Sequence, residues 1–240
     1  MRAIVTRGPW PALLMVSLVG WIAPLALSRW FAVPDFCGGS AGPWPGPDAL
    51  ALNQPGLLVL PWLLMLLAMM PPLLARPIRH LWRRSLRRRR TRAIAQYVAV
   101  YTAVWLLGGV VLLAAAIVLQ RLVEAAVIPA VAIALLWQAT PAKQACLNGC
   151  HRLPPLATFG LPADLDCLRF GLTSGLWCVG TCWALMLVPL AAGAGHLALM
   201  AIASVVMLAE RLPPPRPARW HVPLPAQLMS GALVRRVMQA

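Results

Sequence analysis

The chain has 240 residues, of which 60% are hydrophobic and only 11% are charged. Soluble domains have roughly 45–50% apolar residues and about 25% charged residues. The hydrophobic excess occurs in runs as long as a membrane span requires, so little of the chain is left for a separate soluble domain. The composition therefore excludes an ordinary soluble protein and predicts one that crosses a membrane several times.

The formal net charge of +15 would suggest a nucleic-acid partner in a soluble protein. Here, however, nine of the 21 basic residues lie between Arg76 and Arg92, directly after an apolar run. The positive-inside rule assigns such a cluster to a cytoplasmic loop, where it contacts anionic lipid headgroups. No aromatic or glycine-rich recognition pattern accompanies the arginines. We therefore predict a lipid partner and no nucleic-acid partner.

Six apolar runs are long enough to be predicted as spans, at residues 10–32, 55–74, 94–119, 125–140, 168–192 and 196–209. Basic residues mark both termini and the loops between spans two and three and spans four and five. The fold class is thus an all-α membrane protein, a bundle of six transmembrane helices with both termini in the cytoplasm. Residues 1–212 form this domain, and residues 213–240 form a cytoplasmic tail with a short surface helix predicted at 225–238.

Local features refine this outline. Pro71 and Pro72 should end or kink the second span, and the arginine cluster after them is interpreted as a helical extension or a solvated loop. Tyr97 is interpreted as an aromatic residue at the membrane interface. Cys37 lies in a loop rich in proline and glycine on the outer side, with no thiol near it in sequence.

The fifth span carries a stripe of small and sulfur-containing residues. At about 100° per residue, six of them fall within roughly 80° of one another. They are Gly171, Gly175, Cys178, Cys182, Met186 and Pro189. Small residues let another helix approach closely, and thiolate and thioether sulfurs select soft metals such as Cu(I). The alternative, that Cys and Met are only adaptable core residues, stays open.

Two other spans place sulfur at a similar depth, counted from the nearest cytoplasmic arginine at about 1.5 Å per residue. Cys178 and Cys182 lie roughly 14 and 20 Å into the hydrocarbon core, and Met69, Met65 and Met200 lie roughly 10 to 16 Å in. We therefore predict that spans two, five and six converge on one mid-membrane site. The competing hypothesis turns the cysteine face towards lipid or another subunit.

A second thiol pair, Cys146 and Cys150, follows the fourth span, with His151 adjacent. If the helix continues past Pro141, both thiols share a face and could chelate one soft ion, with Cys167 as a third donor. The alternative is an idle pair of reduced cytoplasmic thiols.

Catalysis has little support in the residue pattern. Redox enzymes favour Cys-x-x-Cys, whereas both pairs are spaced four apart, which does not suit an unstrained bridge. A membrane thiol oxidoreductase is therefore less favoured. The sequence shows no Ser-His-Asp set, nucleotide-binding loop or paired intramembrane carboxylates, so we predict that the protein is not an enzyme.

As an ordered set, these motifs resemble those of a bacterial family of integral membrane proteins described as predicted metal-binding, some of which are named copper chaperones. The resemblance spans residues 55–212. It rests on Met65-Leu-Leu-Ala-Met69-Met70-Pro71, Lys143-Gln-Ala-Cys146-Leu-Asn-Gly-Cys150, Cys178-Val-Gly-Thr-Cys182-Trp-Ala-Leu-Met186, Met200 and Glu210. It implies a helical membrane protein that binds a metal. The chain departs from the family pattern at His151, where arginine is expected, and at His196, where asparagine is expected.

Residues and resemblance together predict a bacterial inner-membrane protein that binds a soft metal, Cu(I) being favoured, and delivers or transfers it at or across the membrane. The predicted ligands within the membrane are Cys178, Cys182, Met65, Met69, Met186 and Met200. Cys146 and Cys150 would receive or release the ion on the cytoplasmic side, with a metallochaperone or a partner membrane subunit as counterpart. The alternative is a non-catalytic scaffold or assembly subunit whose Gly, Cys and Met residues face a partner helix.

Overall fold

A computed structural model describes residues 10–30, 56–192 and 195–220. Within these ranges the regular secondary structure is entirely helical. The helices are α1 (Trp10–Trp30), α2 (Gly56–Met69), α3 (Ala75–Arg84), α4 (Arg90–Leu122), α5 (Val127–Ala139), α6 (Pro141–Cys150), α7 (Gly160–Ala191) and α8 (His196–Arg211). The all-α fold class is therefore confirmed. Cys37, the helix predicted at 225–238 and both termini lie outside the described residues.

Helix α7 is the centre of the bundle and packs against α4, α5, α6 and α8. Its closest approach is to α4, where two glycines replace side chains. A Cβ atom on Gly171 would lie 2.7 Å from the Tyr97 carbonyl oxygen, and one on Gly175 would lie 2.9 Å from Val104 Cβ. The small residues of the predicted stripe thus allow the close packing of two helices inside the chain.

Two helical segments, Arg87–Leu122 and Gly160–Ala191, are long and apolar enough to cross a membrane. A third span is formed if Val59–Met69 and Pro71–Arg84, which are bent by 56° at their junction, are counted as one broken helix. Helices α5 and α8 have only 13 and 16 residues, whereas a span needs about 20. The described residues therefore contain two or three candidate spans, and the count of six stays a prediction.

The break predicted at Pro71 and Pro72 is confirmed. Helix α2 ends at Met69, Pro71–Leu74 form a 3₁₀ turn, and α3 continues in a new direction. Proline causes this because it lacks an N–H donor and its ring collides with the preceding turn. The arginine cluster beyond is a helical extension, since it forms α3, a second 3₁₀ turn at Arg87–Arg89 and the start of α4.

The outward faces of the long helices are apolar. Leu107, Val110 and Val111 on α4 and Ile128 and Leu136 on α5 are all largely exposed. Water-soluble proteins rarely expose contiguous apolar surfaces of this kind. The surface is therefore compatible with a membrane protein whose outer helices contact lipid.

Part of the basic cluster has an internal partner. Arg89 and Arg92 both form ion pairs with Asp164, at 2.5 Å and 2.9 Å, and so hold the start of α4 to the start of α7. Arg83 and Arg88 are exposed. The predicted contact with lipid headgroups therefore concerns the exposed arginines of the cluster.

Candidate soft-metal site

Cys178 lies on the face of α7 that meets α4, and its side chain is fully buried. Its sulfur accepts a hydrogen bond from the Tyr101 hydroxyl at 3.0 Å, and the same hydroxyl lies 3.5 Å from Met70 Sδ. The two sulfurs are therefore separated by no more than the sum of these distances, well below the roughly 10 Å that side-chain packing can close. Tyr101 thus joins the sulfur of α7 to a sulfur at the end of α2.

Two further side chains surround the Cys178 sulfur. Cys182, one turn later on α7, is buried and lies within hydrogen-bonding reach of Cys178. The Trp105 indole interacts with the same sulfur, although its N–H meets no acceptor at hydrogen-bond geometry within the described residues. The donor that reaches the sulfur is the Tyr101 hydroxyl, which favours negative charge on Cys178.

Helix α2 is fixed beside this site by Trp62. Its indole N–H donates to the Trp105 carbonyl oxygen at 3.1 Å, and the two rings are in tilted contact with centroids 6.4 Å apart. Gly109 makes room for the Trp62 ring, because a Cβ atom there would lie 2.4 Å from it. The contact positions the end of α2, and with it Met70, against α4.

Helix α6 starts anew after the fourth predicted span. Thr140 caps it, since its Oγ1 accepts a hydrogen bond from the Lys143 amide at 3.2 Å, and Pro141 occupies the first helical position. The helix runs to Cys150, so Cys146 and Cys150 share one face as the sequence predicts. Both are free cysteines.

The structure places the second thiol pair beside the first. A Cβ atom on Gly180 would lie 2.8 Å from Cys146 Sγ, and Cys150 Sγ lies 3.6 Å from Thr181 Oγ1. Gly180 and Thr181 lie between Cys178 and Cys182 in the sequence. Both pairs therefore lie at the level of the same turn of α7, although Gly180, two residues after Cys178, points to the other side of that helix.

The two pairs differ in exposure. Cys146 and Cys150 are partly exposed, whereas Cys178 and Cys182 are buried. Burial raises the pKa of the Cys146 thiol and of the Cys150 thiol, and for Cys150 the positive charge of Arg211 acts in the opposite direction. Both thiols are therefore protonated at neutral pH, so an incoming metal ion must displace their protons.

Four predicted thioether ligands lie in the same buried apolar core, namely Met65, Met69, Met186 and Met200. The methionine that the structure brings to Cys178 is nevertheless Met70, the residue after α2. The ligand roles of the other four stay predictions. No group of three or more His, Cys, Asp or Glu side chains in the described ranges could hold a metal ion, so a site there would depend on paired thiols and thioethers.

Cys167, predicted as a third donor for Cys146 and Cys150, has different neighbours. It lies eleven residues before Cys178 on α7, about 16 Å away along the helix axis. Its electrostatic neighbours are Asp164, Arg89 and Asp166 at the start of that helix. Cys167 is therefore separated from the site and provides an internal control for experiments.

Sequence reasoning missed the aromatic partners on α4. Tyr97 is fully buried and stacks on Tyr101 with ring centroids 6.1 Å apart, so its interpretation as an interface residue was wrong. Tyr97, Tyr101, Trp105 and Gly109 recur every four residues and form one face of α4. The glycine and sulfur stripe of α7 repeats at a similar interval. This shared periodicity was the signal in the sequence that could have predicted contact between these faces of α4 and α7.

The described chain is thus a helical protein with buried paired thiols and a thioether near one of them, which are donor types that Cu(I) prefers. Residues 59–234 match the model of the PpoB2 family, described as a copper chaperone. The match covers well over half of the chain, so the chain belongs to this family, as the resemblance implied. It includes both thiol pairs and the methionines of α2. The comparison with curated proteins found no match, and the comparison with solved structures found none either.

Proposed function

We propose that this protein takes up Cu(I) at Cys146 and Cys150 and holds it between Cys178 and Cys182, with thioether sulfur completing the coordination. The observation that carries the proposal is the meeting of the partly exposed pair and the buried pair at one turn of α7. The description of the family as a copper chaperone supports the identity of the ion. Copper is the cargo here, and the role is binding and transfer without catalysis.

Ligand exchange accounts for the transfer. Cu(I) binds two or three soft sulfurs, so it can pass between neighbouring thiolates by gaining one ligand before it loses another. The thiol protons leave to solvent as the sulfurs bind, and the oxidation state of copper does not change. The neutral thioether of Met70 binds more weakly than a thiolate and so permits release.

Burial of the cysteine face argues against the scaffold alternative. That hypothesis needs the face of Cys178 and Cys182 to be turned towards lipid or a partner subunit. Their side chains are instead 0% and 1% exposed, and Cys178 is hydrogen-bonded to Tyr101 of the same chain. The scaffold hypothesis therefore lacks the exposed cysteine face that it requires.

Copper retention by protein purified in detergent tests the proposal. The protein is loaded with Cu(I) and then challenged with a soluble chelator specific for Cu(I). Replacing Cys178 and Cys182 by Ser should abolish retention, whereas replacing Cys146 and Cys150 should slow loading and leave the final copper content largely unchanged. Cys167→Ser, on the same helix as the buried pair, is the matched control and should behave as wild type. Unchanged retention after loss of the buried pair would overturn the proposal.

The proposed location is the bacterial inner membrane, with both termini and the arginine cluster in the cytoplasm. The exposed arginines, among them Arg83 and Arg88, then face anionic lipid headgroups, and a metallochaperone releases the ion at this cytoplasmic surface. A cysteine engineered next to Arg88 should resist an impermeant thiol reagent added to intact cells. Efficient labelling from outside would refute this orientation.

A further inference from the structure

Arg211, the last residue of α8, brings a positive charge to the thiols. Its guanidinium interacts electrostatically with Cys178, Cys150 and Cys182. Its Nε and Nη2 atoms are buried and have no hydrogen-bond partner within the described part of the chain. Arginine does not lose its proton in proteins, so deprotonation cannot relieve the cost of this buried charge.

Nearby side chains do not neutralise Arg211. The carboxylate next to it in sequence, Glu210, is partly exposed and forms an ion pair with the buried Lys143 of α6 at 2.5 Å. On the other side lies His151, whose Nδ1 accepts a hydrogen bond from Arg76 at 2.7 Å and which adds no negative charge. In the described ranges, the thiols are thus the groups near Arg211 that can supply a compensating anion.

We propose that Arg211 is the counter-charge of the bound metal complex and that it restricts the site to monovalent soft cations. The inference rests on the proposed function. Two thiolates and one monovalent ion form a complex with a single negative charge, which one guanidinium neutralises. Two thiolates and a divalent ion form a neutral complex and leave the guanidinium unpaired. Uncompensated charge is costly in a buried site, so the monovalent ion is preferred.

The same charge acts on thiols of both helices, because Arg211 interacts with Cys150 of α6 as well as with Cys178 and Cys182 of α7. A monovalent ion that moves from the α6 pair to the α7 pair therefore stays beside its counter-charge throughout. The net charge of the buried region does not change during this step. Arg211 is thus a positioning residue for transfer, since it acts on the ion through the sulfurs.

Binding selectivity measured on the full chain in detergent tests the inference. Ag(I), which is stable in air, stands for monovalent soft ions, and Cd(II) stands for divalent ones. Affinities come from competition with chelators for wild type, Arg211→Met, Arg211→Lys and the exposed charge-loss control Arg83→Gln. Arg211→Met should weaken Ag(I) binding at least tenfold and leave Cd(II) binding unchanged or tighter. Arg211→Lys and Arg83→Gln should keep the wild-type preference.

Arg211→Met should fold, because removing a buried charge that has no ion-pair partner among the described residues also removes the cost of burying it. Should Arg211→Met fail to fold, the Ag(I)-to-Cd(II) ratio of Arg211→Gln supplies the same comparison. A ratio equal to that of wild type in a folded, charge-free variant would overturn the role of Arg211 and leave the proposed function intact. A wild-type protein that retains neither Cu(I) nor Ag(I) would overturn both.

Discussion

The two thiol pairs have the same four-residue spacing and lie at the same turn of α7, yet their surroundings differ. Cys178 and Cys182 are enclosed by aromatic side chains, and the Tyr101 hydroxyl donates to the first of them. Cys146 and Cys150 are partly exposed, and the polar contact of Cys150 is the Thr181 hydroxyl at 3.6 Å. Spacing determines that two thiols share a helix face, whereas the neighbouring helices determine whether the thiols are buried or reach solvent.

The largest expected difference between the pairs is in thiol reactivity. In metal-free protein, Cys146 should be alkylated about a hundredfold or more faster than Cys178, because reaction at a buried thiol requires local opening of the bundle. Timed alkylation followed by peptide mass measurement gives both rates in one sample. Equal alkylation rates would show that the α7 thiols are as accessible to solvent as the α6 thiols, which would contradict the difference in burial between the two pairs.

The contact between α6 and α7 should be sensitive to an added methyl group. A Cβ atom on Gly149 would lie 2.4 Å from the rigid Trp177 ring, so Gly149→Ala should lower the free energy of unfolding by about 1–3 kcal/mol. It should also raise the alkylation rate of Cys150. The matched control is Gly108→Ala, whose Cβ atom would lie 3.4 Å from Val179, an ordinary contact. Equal unfolding midpoints for the two variants would contradict this packing.

Tyr101→Phe removes the hydroxyl that donates to Cys178 and keeps the ring. The free energy of unfolding should fall by about 1 kcal/mol, the usual net contribution of one hydrogen bond. Thermal unfolding in detergent measures the loss, and Cu(I) retention should weaken with it because the sulfur loses a donor. Tyr97→Phe is the comparison, since no hydrogen-bond partner is found for its hydroxyl in the described ranges. A larger loss in that variant would count against the assigned contact.

The smallest expected effect is a pH dependence of stability caused by His151, the residue that follows α6. Burial lowers the pKa of His151, and the charges of Arg76 and Arg211 lower it further. The folded protein therefore resists protonation that the unfolded chain accepts, and stability should fall as pH drops below the ordinary value of 6.5. His151→Asn should reduce this loss slightly, as seen in unfolding midpoints at neutral and mildly acidic pH. An identical pH dependence in the variant would show that another group is responsible.

Local signals predicted much of this structure. The proline pair Pro71–Pro72 ended α2, and Gly171 and Gly175 marked the close packing of α7. Each of these residues acts through the backbone in its own neighbourhood, so a sequence pattern is enough. The helical class and the shared face of each thiol pair follow from the same kind of signal.

Relations between helices could not be predicted in this way. Counting residues from an arginine assumes a straight helix, whereas the chain bends after Met69 and brings Met70, which was not among the predicted ligands, to Tyr101. The placement of Cys146 and Cys150 beside α7 depends on how α6 packs through Gly149 and Gly180. Such contacts join residues about thirty positions apart, and no local pattern in either segment specifies its partner.

The length of α7 determines how deep its two buried thiols lie in the membrane. Its 32 residues extend for about 48 Å, whereas the hydrocarbon core is only about 30 Å thick. With its C-terminal end at the outer surface, as the proposed orientation requires, Cys178 lies about 20 Å and Cys182 about 14 Å below that surface. The two thiols therefore lie on either side of the membrane midplane. A metal ion held between them would be about equally far from both surfaces, so the position of the pair along α7 favours neither direction of transfer.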